Sequence, residues 1–336
     1  MLHAPKLFLQ NSFKDICIMN KAITGLHHVT AMASDPQKNV DFYAGILGLR
    51  MVKKTINFDA PDVYHLYYGD EVGNPGTIMT FFPFPGLIRG RKGKGQLTVT
   101  SFSIPENSLD YWMKRLTKFG ITYEQPQQRF DHEVSIYFED HDGLGVELVA
   151  NKTDERVGFS YGQIPPEHTV KGFYGVSLSE EGYERTAGLL TQQMDHQLIV
   201  EKGNRFRFSA SGKPGDFVDV LCNPETMRGL NGAGTVHHLA FATPTDETQL
   251  SFRESILGKG VNPTPVLDRQ YFHSIYFREP GGVLFEVATS DIGFAIDEDK
   301  AHLGEAIKLP PWEEAHRAEI EKGLLPIAVH ADKFMD

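Results

Sequence analysis

The chain repeats itself four times, and that repetition limits its fold more than any other feature. Each unit opens with an apolar strand, runs into an amphipathic helix and closes with further strands. A supersecondary unit copied in this way does not bury its apolar face alone, so neighbouring copies must pack on one another.

Unit one begins with LHHVTAM at 26–32. Asp35 and Pro36 predict a helix start, an N-cap acceptor followed by proline at the first helical position. Val40, Tyr43, Ala44 and Leu47 follow at helical spacing, and Gly48 stops the helix. Strands at 63–68 and 77–82 flank the turn residues Asn74, Pro75 and Gly76. Unit two opens at 97–104, places Leu109, Trp112, Met113 and Leu116 on one helix face, and closes with strands at 135–139 and 145–150. Unit three opens at 172–178, carries Tyr183, Ala187 and Leu190 on its helix, and closes with strands at 205–209 and 217–222. Unit four opens with VHHLAFAT at 236–243, carries Leu250, Ile256 and Leu257 on its helix, and closes with strands at 274–277 and 283–289.

The expected fold is α+β: four βαβββ modules in two domains, 21–152 and 171–296, joined by a polar, proline-containing linker at 153–170. A chain of 336 residues is long enough for two domains of about 150. Paired modules should bend into half-open barrels, unit one against unit four and unit two against unit three, with a ligand in the cleft. Residues 1–20 form an N-terminal extension to which the sequence gives no function. In the C-terminal arm, 297–336, Pro310, Pro311 and Trp312 open a short helix to about Lys322, expected to pack over the cleft.

Composition narrows the function. A net charge of −11 and a pI near 5.7 argue against nucleic acid as a partner, because a phosphate backbone demands a clustered basic face. The one basic run, Arg89 to Lys94, is interleaved with glycines and reads as a solvated loop. Cys17 and Cys222 make no disulfide framework and no cysteine-rich zinc site, which fits a reducing cytoplasm. No stretch approaches the roughly 18 apolar residues that span a membrane.

The chemistry sits in a doublet. A His-His pair occurs at 27–28 and again at 237–238, at the same position of the repeat. One pair among 14 histidines proves little, since a lone strand histidine is usually a hydrogen-bonded barrel residue; two equivalent pairs are harder to dismiss. Strand alternation sends His28 and His238 to one face and His27 and His237 to the other. Glu286 stands in an apolar final strand, VLFEV, where a carboxylate is costly unless it is paired or metal-bound. The other units act as internal controls. Thr80 stands at the position of Glu286 in unit one; unit two has Glu147 but no histidine in its opening strand; unit three offers Tyr174, Gly175 and Val176 where His238 would be. Units one and four together supply His28, His238 and Glu286, a two-histidine, one-carboxylate set that leaves coordination positions free, as in non-heme Fe(II) oxygenases. A structural zinc would close its shell with four protein ligands. His65 and His273 read as hydrogen-bonded sheet residues.

The stretches GLHHVT at 25–30, YHLYYGDEVGNPGTIMTFFPFP at 64–85, HHLAFA at 237–242, DRQYF at 268–272, PGGVLFE at 280–286 and DEDKAHLGEAIKLPP at 297–311 resemble the vicinal-oxygen-chelate (glyoxalase/bleomycin resistance/extradiol dioxygenase) superfamily. Within it they are most similar to dioxygenases that open hydroquinone rings, including Firmicute members linked to quinone resistance. The similarity runs from about residue 22 to 327. It implies that His28, His238 and Glu286 bind iron, and that His27, Thr30, His237, Arg269 and Tyr276 surround the metal and act in catalysis. His237 is the expected acid/base, with His27 as the alternative. The resemblance implies Fe(II), with Mn, Zn or Ni as other metals of the isolated protein. The expected partners are a small aromatic diol and dioxygen, with homo-oligomerisation left open. Competing readings are a glyoxalase-type isomerase or lyase, a metal-dependent thiol transferase, and a quinone- or drug-sequestering resistance protein.

Overall fold

The computed structural model describes residues 22–130 and 133–336; the N-terminal extension 1–20, with Cys17, lies outside them. Module one comprises β1 (Gly25–Ala33), α1 (Pro36–Val40), β2 (Arg50–Asn57), β3 (Ala60–Gly69) and β4 (Ile78–Pro83). Module two comprises β5 (Gln96–Pro105), α2 (Leu109–Lys118), β6 (Gln127–Arg129), β7 (Glu133–Glu139) and β8 (Gly145–Asn151). Module three comprises β9 (Gly172–Glu180), α3 (Glu184–Gln193), β10 (Gln197–Lys202), β11 (Arg205–Ser209) and β12 (Phe217–Cys222). Module four comprises β13 (Thr235–Thr243), α4 (Asp246–Leu257), β14 (Leu267–Asp268), β15 (His273–Arg278) and β16 (Leu284–Thr289).

Two eight-stranded sheets result. One runs β14-β15-β16-β13-β1-β4-β3-β2 and joins modules four and one; the other runs β10-β11-β12-β9-β5-β8-β7-β6 and joins modules three and two. Each curved sheet therefore draws one module from each half of the chain, as the repeat predicts. The seams are the antiparallel pairs β1–β13 and β5–β9. Each module closes with three strands, of which the sequence pattern marks the last two and not the first. All four unmarked strands, β2, β6, β10 and β14, lie at the ends of the sheets. Edge strands pair on one side, and charged residues are a common defence there, so their apolar alternation is weak; β10 reads QLIVEK and is largely exposed.

Alternation sets the layers. Along β1, Val29 and Ala31 are buried on the convex side, while His28 and Thr30 belong to the concave face. Trp112 and Leu116 of α2 and Phe252 and Ile256 of α4 join Val29, Phe102 and Phe241 in one continuous core. Leu250 and Leu257 instead point outward from α4. The start of α1 is as expected: Asp35 accepts from the Lys38 amide at 3.0 Å, with Pro36 in the first turn. The helix then widens into a π-helical turn over Asp41–Ile46, and Gly48 ends it at φ +72°.

The C-terminal arm runs along the β2 edge rather than over the cleft. The Lys308 amide donates to the Lys54 carbonyl, and Lys54 and Ile307 form a parallel bridge. The fully buried Lys53 ammonium is neutralised by Asp297 at 2.6 Å and by Glu298. The helix expected after Trp312 is present as α5 (Arg317–Gly323), and Ile320 and Leu324 bury into the core. No described residue of 297–336 lines the cavity in the sheet of modules one and four; Trp312 reaches its wall through an edge contact on Phe58, with centroids 5.5 Å apart. A covering role is thus replaced by an edge-sealing one.

Candidate metal centre

The concave face of the β1–β13 sheet gathers the residues that the repeat singled out. His28 Nε2 stands 3.1 Å from His238 Nε2, and Glu286 Oε2 stands 3.3 Å from the first and 2.9 Å from the second. Register explains the convergence. Antiparallel pairing sets His28 two residues from the Thr30–His238 pair, and β16 lies parallel to β13 with Glu286 opposite Ala240. All three side chains are buried.

Alternation places His27 and His237 near His28 and His238 but on the other face of the sheet, and the structure keeps this for His27 and not for His237. The seam carries two β-bulges, one between Leu26 and His28 and one between Thr30 and Ala31, whose unpaired residues are His27 and His237. A bulge re-aims its side chain. His27 Nδ1 therefore meets His28 Nδ1 at 2.9 Å, and His237 Nδ1 meets His238 Nδ1 at 2.8 Å. His237 lines the same cavity as His238. His27 sits behind the wall, edge-on to Phe272.

These contacts fit a cation. If each ligand histidine donates its Nδ1 hydrogen to its neighbour, each Nε2 keeps a lone pair aimed at Glu286 Oε2. That buried oxygen accepts no hydrogen bond. Three electron-rich atoms facing one point, uncompensated and out of water, are costly. Around an ion they are the expected geometry, because ligands at about 2.1 Å on adjacent octahedral corners stand about 3 Å apart. Among the described residues this is the one cluster of histidine, cysteine or carboxylate groups arranged to hold a metal. Burial would raise the Glu286 pKa, but His28 and His238 outweigh it and hold the carboxyl well below its ordinary range. Burial lowers His238, with Glu286 opposing. Burial, reinforced by His28, brings His27 down to about 3. Ser274 donates to Glu286 Oε1 and fixes the carboxylate plane.

Above this floor lies a cavity of about 430 Å³. Its apolar walls include Met32, Phe58, Phe82, Phe84, Phe272 and Leu284. Arg269 and Tyr276 line it on the module-four side; Arg269 Nε donates to the Tyr276 hydroxyl at 3.3 Å, and the guanidinium lies 3.7 Å from Asp59 at the mouth. Burial raises the Tyr276 hydroxyl, Glu286 adding to the effect, so it is a proton donor rather than a phenolate. Burial opposes the Arg269 charge, and Tyr276, Asp59 and Glu286 reverse that. Thr30 is off the wall, hydrogen-bonded to Thr80 at 2.8 Å. His65 is the residue that sequence reasoning undervalued: it is hydrogen-bonded within the sheet as expected, yet it also lines the cavity. Its signal was its place one alternation before Tyr67. His273 is remote from the centre, bonded to Asp246 at the start of α4 at 2.6 Å.

Fold and site together define a member of a known class: the chain belongs to the Glyoxalase/Bleomycin resistance protein/Dioxygenase superfamily, whose model matches residues 25–148 and 166–287. Its particular relatives narrow this. It is 44% identical over 311 residues to the Bacillus subtilis protein named "Putative ring-cleaving dioxygenase MhqO", covering 93% of this chain and 99% of the relative. It is 32% identical over 307 residues to the chlorohydroquinone/hydroquinone 1,2-dioxygenase of Sphingobium indicum, covering 89% and 95%. A crystal structure titled as a putative dioxygenase from Bacillus subtilis superposes with a TM-score of 0.89 at 44% identity, over 92% of this chain and 99% of that one. These relatives make the chain an enzyme of the dioxygenase type. Glyoxalase I from Zea mays shares the fold alone, with a TM-score of 0.59 at 14% identity over 79% and 92%. No helix among the described residues is long and apolar enough to cross a membrane.

Proposed function

We propose that this protein is a cytoplasmic, Fe(II)-dependent dioxygenase that opens hydroquinone-type rings, with His28, His238 and Glu286 as the ligands. The carrying observation is the convergence of three buried ligand atoms, 2.9–3.3 Å apart, at the floor of an apolar cavity sized for a small aromatic ring. When bound, such an ion supplies a Lewis acid that lowers the pKa of a ring hydroxyl and brings ring and dioxygen together.

The chain's own residues do the rest. Phe82, Phe84 and Phe272 hold the ring and exclude water. Arg269 and Tyr276 present directed donors to oxygen atoms of substrate on the module-four side. His237, open to the cavity and tethered to His238, takes the proton released by the ring hydroxyl and returns it during ring opening. A carboxylate in place of Thr80 would have given module one a ligand of its own; the threonine supports the oxygenase reading over a four-ligand isomerase. The test is anaerobic loading with Fe(II) followed by oxygen uptake with hydroquinone. Stoichiometric uptake with a ring-opened acid as product is expected. Binding of hydroquinone with no uptake would point to sequestration, and conversion of a thiol adduct would point to the isomerase and transferase class.

A further inference from the structure

The four modules share a side-chain relation that exposes a second polar wall in the cavity. In modules two and four a serine on the third strand of the module supports the carboxylate of the final strand: Ser135 donates to Glu147 at 2.8 Å, and Ser274 donates to Glu286. In module three Arg205 donates to Asp219 at 2.7 Å. Module one alters both partners. The carboxylate position is Thr80, and the supporting position is His65, whose Nε2 lies 3.0 Å from Thr80 Oγ1. Bulk has moved from one residue to the other, so an imidazole lines the wall where a carboxylate would reach in.

That imidazole is tied at both nitrogens, through Nε2 to Thr80 and through Nδ1 to the Tyr67 hydroxyl at 2.9 Å. It is thereby unavailable as a metal ligand. Thr30 extends the chain beyond Thr80 at 2.8 Å. Tyr67 packs edge-on against Phe294 and Tyr271, with centroids 5.1 and 6.0 Å away, and both Tyr67 and His65 line the cavity. In either tautomer of His65, the Tyr67 hydroxyl has one hydrogen-bonding function left over after its bond to Nδ1. The module-one wall is thus a rigid, uncharged hydrogen-bonding edge, and the module-four wall carries the Arg269 cation. An oxygen with developing negative charge suits the cationic wall, and a hydroxyl that keeps its proton suits the neutral one.

We propose that Tyr67, positioned by His65, binds the second hydroxyl of the dihydroxylated ring, the one that is not deprotonated, and so selects diols over monophenols. This rests on the ring-cleaving reading above, and its test separates the two. Dissociation constants for hydroquinone and for phenol are measured anaerobically on the Fe(II)-loaded full chain, for the wild type and for Tyr67→Phe. The wild type should favour hydroquinone over phenol by about tenfold or more, because a site built for a hydroxyl penalises the analogue that lacks it. Tyr67→Phe should erase that preference while leaving phenol affinity and iron content unchanged. His65→Leu should erase it too, acting through the freed Tyr67. If Tyr67→Phe keeps the preference, or weakens both ligands equally, Tyr67 merely packs and the inference is overturned while the ring-cleaving reading stands. If the wild type binds neither ring, the ring-cleaving reading falls, and this inference falls with it.

Discussion

The two curved sheets of this molecule share one backbone plan and solve opposite electrostatic problems on it. In the β5–β9 seam the bulged residues are Thr98 and Tyr174, where the β1–β13 seam has His27 and His237. Val99 and Gly175 stand in the places of His28 and His238. The carboxylate positions are kept, as Glu147 opposite Ser101 and Asp219 opposite Ser177. With no imidazoles beside them, these carboxylates are compensated by the chain's own cations. Arg129 bridges Glu147 at 2.8 Å and Glu133 at 3.0 Å; Arg207 bonds Glu133 and reaches Asp219 at 2.6 Å; Arg205 meets Asp219 at 2.7 Å. Buried carboxylates need positive partners in either sheet. One sheet brings imidazoles and an opening suited to an ion, and the other brings guanidinium groups that leave no anionic hole.

That contrast can be broken from either side. The largest effect is expected in the sheet of modules one and four. His237→Ala or Tyr276→Phe should keep iron content near the wild-type level and slow oxygen uptake by ~10²–10⁴-fold, the usual cost of losing an acid/base group. A His237→Ala enzyme with unchanged uptake would move the proton-transfer role to His27. In the other sheet, Arg207→Met leaves Glu133 and Asp219 facing one another without their shared cation. A loss of about 3–5 kcal/mol in urea unfolding is expected, the range for breaking a buried pair from one side. An unchanged midpoint would mean that the cluster is dispensable and the comparison cosmetic.

The smallest effect concerns the joint between the sheets. Thr186 Oγ1 on α3 lies 2.6 Å from Glu180 Oε2 at the end of β9 and 2.7 Å from Glu279 Oε2 after β15. A hydroxyl has one hydrogen to donate, so one of the two carboxyls must carry a proton. The Gly281 and Val283 amides both donate to Glu279. Burial first, and then Glu279, raise Glu180 to about 8, with Arg185 opposing. A carboxyl whose folded pKa lies above its unfolded value contributes stability that is complete below the ordinary carboxyl range and is lost as pH rises to about 8. Glu180→Gln should therefore melt above the wild type at pH 8, with the gap closing toward pH 5. A gap that does not vary with pH would refute the shared proton.

Much of this architecture was legible because it is periodic. The repeat locates the four modules, their pairing and the three ligand candidates, since the His-His doublet of units one and four stands against an opening strand without histidine in unit two and Tyr174, Gly175 and Val176 in unit three, and Glu286 stands against Thr80. The bulges were not legible. Alternation counts residues along one strand, whereas a bulge is a mismatch of two strands, and His27 and His237 follow the second rule. Edge strands such as β2 and β10 carry a polar pattern that alternation does not single out. The sequence marks His65 as a sheet residue, which it is; its cavity face depends on the curl of a whole sheet. Nothing in the composition of the arm says which edge it seals; Lys53, which fixes it, lies more than 240 residues away along the chain.

A metal ion should bind the sheet of modules one and four and not its twin. Metal analysis after anaerobic Fe(II) loading and desalting decides this on the wild type, His28→Ala and Glu147→Gln. One iron per chain is expected in the wild type, none in His28→Ala, and one still in Glu147→Gln. Iron retained by His28→Ala, or a second ion per chain that disappears in Glu147→Gln, would place the metal elsewhere.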